Sequence, residues 1–160
     1  MLAALGVILL YLGALVEVVD ISMAVIASLL CVFAVIEYGG SAPWLVFGVT
    51  AVLAVILVPV KTTALLYALF FGYYPILKEK FEKLNLVTSW ICKEAVFNVA
   101  MVAMLASMKF LLLEYTDIPF MLWVIVIVLC EVVFVVYDFA LSRLISLYVY
   151  RLRKRFRINK

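Results

Sequence analysis

An all-α, polytopic membrane bundle is the fold class this sequence predicts, and three observations predict it. Of 160 residues, 70% are hydrophobic and only 14% are charged, against roughly half and about a quarter in soluble domains. The mean hydropathy is +1.30. The apolar residues form long, nearly unbroken blocks around one polar island, KTTALLYALFFGYYPILKEKFEKLNLVTSWICKEAVFN, from Lys61 to Asn98. No Pro/Ser/Gly-rich linker separates two cores. Residues 1–150 therefore read as one transmembrane bundle, with an interfacial amphipathic segment at 76–84, followed by a basic cytoplasmic tail at 151–160.

About 20 apolar residues cross the hydrocarbon as a helix, with roughly 17 as the short limit. That ruler gives about six passes. The first, Leu2 to Val19, lacks the basic start of a secretory signal and is read as a retained helix that ends at the acidic corner of Glu17 and Asp20. The second, Ser22 to Glu37, is closed by Gly39-Gly40-Ser41-Ala42-Pro43, strong helix-stop and helix-start punctuation. The third runs from Pro43 or Trp44 to Val60, with Pro59 and Lys61 marking its exit.

Thr62 to Leu77 is the fourth pass, with Gly72 and Pro75 inside it. Pro75 removes a helical hydrogen bond and pushes Tyr74 out of the α region, so a kink or an end is expected there. After it, Leu77, Phe81 and Leu84 share a face, while Lys78, Glu79, Glu82 and Lys83 lie off it. That pattern reads as a surface helix at the headgroup level. The fifth pass is Ser89 to Leu113, and the sixth runs from Pro119 to about Ile145.

Basic loops stay on the cytoplasmic side. With six passes both termini are cytoplasmic, as are Lys78, Lys80, Lys83 and the tail, while Glu17, Asp20, Lys61, Glu114 and Asp117 occupy the outer turns. Five passes would put the N-terminus outside and make the Lys61 to Lys83 region re-entrant.

Ionisable groups at membrane depth are costly unless paired or facing water, so each is a functional candidate. Glu131, Asp138 and Ser142 share one face of the sixth pass at i, i+7 and i+11. They could serve a proton-coupled carrier, or Asp138 could already be at the inner interface with Arg143. Lys93 and Glu94 start the fifth pass beside Trp90, where Lys93 could snorkel, and Asn98 follows Glu94 at i+4, deep enough to bond a neighbouring helix. Ala64, Ala68 and Gly72 recur every fourth residue and would let another helix approach closely. The adjacent aromatics, Tyr67 and Tyr74 among them, could line a cavity or form an interfacial belt.

Other classes find no support in the residues. Histidine is absent, so no imidazole serves as base or metal ligand. Cys31, Cys92 and Cys130 sit singly in different apolar runs and suggest neither a disulfide framework nor a metal site. With no Gly-rich phosphate loop and no nucleophile beside a base, neither an enzyme nor a resident cofactor is expected. The tail, from Arg151 to Lys160, suits anionic lipid headgroups; nucleic acid is not expected, since no aromatic platform accompanies the charges.

A compact bundle of six helices with both ends inside and no ATPase motif resembles the substrate-binding S components of energy-coupling factor vitamin transporters. The Tyr73 to Lys78 stretch, Tyr-Tyr-Pro-Ile-Leu-Lys, is also similar to one in membrane proteins of Gram-positive anaerobes. The resemblance implies a bacterial cytoplasmic membrane and a subunit that captures a small vitamin-like solute on its outer side. It also implies a membrane partner, a coupling subunit powered by two ATPases. The residues expected at such a pocket are Lys61, Tyr67, Tyr74, Asn98, Glu17 and Asp20, with Lys61 favouring a carboxylate-bearing ligand. The alternative is a non-transporting structural or interaction subunit, for instance in envelope assembly, that docks through Ala64, Ala68, Gly72 and Asn98.

Overall fold

The computed structural model describes residues 1–112 and 120–152 of the chain. Every element among them is helical. They run α1 (Leu2–Leu15), a 3-10 turn (Glu17–Val19), α2 (Asp20–Glu37), α3 (Ala42–Leu57), α4 (Lys61–Leu66), a π turn (Tyr67–Phe71), α5 (Tyr74–Phe81), α6 (Leu86–Leu112), α7 (Phe120–Leu147) and a second π turn (Tyr148–Leu152). Glu114, Asp117 and the basic tail from 153 onward lie outside the described residues. The chain forms two compact units, Met1–Leu113 and Glu114–Lys160.

Three of these helices contain a segment long and apolar enough to cross a bilayer: Asp20–Glu37, Leu86–Ser107 and Val124–Tyr150. Helices α1 and α3 are apolar but shorter, at 14 and 16 residues.

The first unit starts as an up-and-down arrangement, and the turn chemistry explains its boundaries. At the end of α2 the amides of Tyr38 and Gly39 both donate to the Ala34 carbonyl, and Gly39 and Gly40 then take φ of +61° and +57°. Only glycine adopts that region without Cβ strain. Pro43 follows in the first turn of α3, where its missing N–H costs nothing. Helix α3 stops at Val58, extended at φ −77° and ψ 125° as the residue before Pro59 must be.

Small residues bring α1 close to its neighbours. A Cβ on Gly13 would sit 2.7 Å from Met23 Cβ of α2, and one on Gly6 would sit 2.9 Å from Thr50 Cγ2 of α3. Helix α2 answers with a buried series of small side chains, Ala24, Ala27, Ser28, Cys31 and Ala34. Small residues at these positions let the helix backbones approach closely and pack directly on one another.

The expected fourth pass is divided. Helix α4 passes into the π turn, which the Gly72 amide closes by donating to the Tyr67 carbonyl at 2.8 Å. Residues 72 and 73 turn, and α5 begins afresh with Pro75 in its first helical turn. The proline thus ends one helix and starts the next instead of kinking a continuous span. The amphipathic segment also differs from expectation at one position. Glu79, Lys80, Glu82 and Lys83 are exposed, whereas Lys78 is buried along with Tyr74, Pro75 and Ile76.

Candidate functional site

The broken segment sets the side chains of the candidate site. Phe70, Tyr74 and Lys78 follow one another at four-residue intervals across the turn, and all three are buried. Phe70 stacks on Tyr74 with ring centroids 4.9 Å apart and meets Phe97 of α6 edge-on at 5.4 Å. On α6, Trp90, Lys93 and Phe97 share a face at i, i+3 and i+7. The Lys93 ammonium lies 5.2 Å from the centre of the Trp90 ring.

The two lysines meet one carboxylate. Glu82 Oε1 is 3.2 Å from Lys78 Nζ and 4.0 Å from Lys93 Nζ. The Lys78 side chain is 0% exposed, and that of Glu82 is 46% exposed. Burying an ammonium group without a counter-charge is expensive, and Glu82, one helical turn beyond Lys78, supplies that charge from the rim. The site thus joins two ammonium groups and a carboxylate to an aromatic cluster of Phe70, Tyr74 and Phe97, with Trp90 facing Lys93.

The residues singled out from sequence fall into separate places. Tyr67 and Tyr74 both belong to the aromatic core of the broken segment: Tyr67 is buried, its hydroxyl 3.2 Å from Cys31 Sγ and its ring 6.2 Å from Phe47. Lys61 is committed elsewhere, donating to the carbonyls of Val55 at 2.8 Å and Val58 at 3.1 Å and so capping the end of α3. Asp20 is the first residue of α2, where a carboxylate suits the positive end of the helix, and Glu17 opens the 3-10 turn before it.

Asn98 is exposed and donates to the Glu94 carbonyl within its own helix at 3.0 Å. On α7, Ser142 donates to the Asp138 carbonyl at 3.1 Å, and Glu131 stands two turns earlier on the same side. Among the small residues, Ala64 and Gly72 are buried and Ala68 is half-buried. A Cβ on Gly72 would lie 2.5 Å from Phe47 Cδ2, so this glycine already receives a ring from α3.

Sequence reasoning treated Lys78 as a surface lysine and gave Glu82 no role. The four-residue spacing from Phe70 through Tyr74 to Lys78 was the signal available. The π turn, which sets the phase of Phe70, leaves no such trace in composition. Comparison with protein-family models, with curated proteins and with solved structures finds no match.

Proposed function

We propose that this chain is a solute-binding membrane protein that holds a small carboxylate-bearing molecule at Lys78 and Lys93, as one subunit of a multi-component transporter in a bacterial cytoplasmic membrane. The observation that carries this reading is the convergence of two buried lysines, from α5 and α6, on the carboxylate of Glu82. A ligand carboxylate would compete with Glu82, whose side chain is half exposed at the rim. The ligand body would lie against Tyr74, Trp90 and Phe97.

Interrupted helices recur at the binding sites of membrane transporters, and π turns recur at functional positions. The break at residues 72 and 73 supplies both beside the lysines. In this proposal the chain crosses six times with both termini inside. The Lys78 site then lies toward the cytoplasmic end, the position for handing a solute over, and Lys61 marks the outer end.

The test is purification from native membranes in mild detergent, mass spectrometry of retained metabolites and co-purified proteins, and thermal unfolding against a panel of carboxylate metabolites. One metabolite should raise stability by roughly 2.7 kcal/mol at a hundredfold excess over Kd, and Lys93→Gln should abolish that gain. No shift across the panel, together with recovery of an unrelated membrane complex, would replace this reading with that of a non-transporting interaction subunit.

A further inference from the structure

The lysines of α5 and its following turn do not share one fate. Lys78 pairs with Glu82, and Lys83 pairs with Glu79 at 2.8 Å. Lys80 has no carboxylate within salt-bridge distance among the described residues; its ammonium stands 5.9 Å from the centre of the Trp44 ring at the start of α3. Both side chains are exposed. A cation over an indole, at the end of an apolar helix, is the arrangement expected where headgroups meet hydrocarbon.

Gly48, one turn deeper on α3, points the same way. Gly6, Gly13 and Gly72 each admit a close neighbour, and Gly39 and Gly40 take positive φ. Gly48 does neither: nothing lies within 4 Å of where its Cβ would be. In a helix interior glycine costs about 1 kcal/mol relative to alanine, so the fold alone gives this position no reason to lack a side chain. The missing side chain leaves a notch below Trp44, continued by Val52 and Val55, both exposed.

We infer that this strip binds an anionic phospholipid, its phosphate on Lys80 beside Trp44 and one acyl chain in the notch at Gly48 and along Val52 and Val55. Charge selects the occupant: a cation without a carboxylate partner caps an otherwise apolar strip, which complements a lipid with an anionic head. The site is separate from the Lys78 and Lys93 pair and stands whether or not that pair binds a solute.

The experiment is native mass spectrometry of the full chain in detergent with palmitoyl-oleoyl phosphatidylglycerol, compared with the phosphatidylcholine of the same chains and with free glycerol phosphate. It is run in a background carrying Arg153→Gln, Lys154→Gln, Arg155→Gln and Arg157→Gln to subtract lipid held by the tail. One phosphatidylglycerol should be retained, in preference to both competitors. Lys80→Gln should weaken retention about fivefold, the worth of one lysine near an anionic headgroup. Gly48→Leu, which fills the notch from the open side, should weaken it comparably, and Lys83→Gln should leave it unchanged. Equal retention of both lipids, retention unaltered by Lys80→Gln and Gly48→Leu, or a self-association that Gly48→Leu abolishes without any lipid dependence would each overturn the inference.

Discussion

The Lys78 ammonium, wholly buried, lies 3.2 Å from the half-exposed carboxylate of Glu82 one helical turn away. The pair is asymmetric, and removing each end has a different consequence. Glu82→Gln leaves the ammonium in place with a weaker partner, so stability should fall by about 1–3 kcal/mol. Lys78→Met keeps the volume and removes the charge, so stability should hold or rise, while any carboxylate ligand is lost. Thermal unfolding of both variants, with and without ligand, checks the pair; a large loss in Lys78→Met would show that the ammonium organises the bundle.

Gly72 and Gly48 make a matched comparison, because only the first is enclosed. A methyl at Gly72 would come within 2.5 Å of Phe47 Cδ2 and 2.9 Å of Tyr67 Cε1. Two ring systems would have to move, and overpacking of this kind costs about 1–3 kcal/mol. A methyl at Gly48 meets open space, so Gly48→Ala should be neutral or stabilise by up to about 1 kcal/mol. Denaturation midpoints of the two single variants give the comparison directly.

Helical composition and turn positions were legible because they depend on local chemistry. The Gly39-Gly40 reversal and the stop at Pro59 fall where those residues demand them. The division of the Lys61 to Phe81 segment was half legible: Gly72 and Pro75 announced an interruption, but nothing local distinguishes a π turn from an α turn, since both use the same φ and ψ region. The candidate site was least legible. Lys78 reads as a surface residue by charge, and its burial depends on where the break points α5, a tertiary outcome. The Ala64, Ala68 and Gly72 series assumed one uniform helix, which the π turn interrupts. Close approach instead also occurs at Gly6 and Gly13, which are seven residues apart and so escape a four-residue pattern.

Lys61 separates a helix-capping lysine from the lysines of the proposed solute site. Its ammonium satisfies two carbonyls at the end of α3, which are left without amide partners by the break before Pro59. Lys61→Met should therefore cost roughly 0.5–1 kcal/mol of stability and leave ligand binding at Lys78 and Lys93 unchanged. A ligand-dependent thermal shift measured in this variant decides the matter: loss of the shift would move the binding site to the Lys61 end.

Thr63, in the first turn of α4, is wholly buried, and its hydroxyl has no hydrogen-bond partner among the described residues. An unpaired buried hydroxyl is a standing cost of about 1–3 kcal/mol, so Thr63→Val, which replaces it with a methyl of similar size, should stabilise the protein by about 1 kcal/mol or more. Thr63→Ser keeps the hydroxyl and deletes the methyl, and should destabilise by roughly 1 kcal/mol. Thr50 is the same case in tighter surroundings: it too is buried with no hydrogen-bond partner among the described residues, but its Oγ1 lies only 3.3 Å from where a Gly6 Cβ would be. A methyl is slightly larger than a hydroxyl, so Thr50→Val should gain less than Thr63→Val. Unfolding free energies in one detergent should therefore rank Thr63→Val above Thr50→Val, and both above the parent. A loss in Thr63→Val would mean that its hydroxyl holds a bond within the bundle.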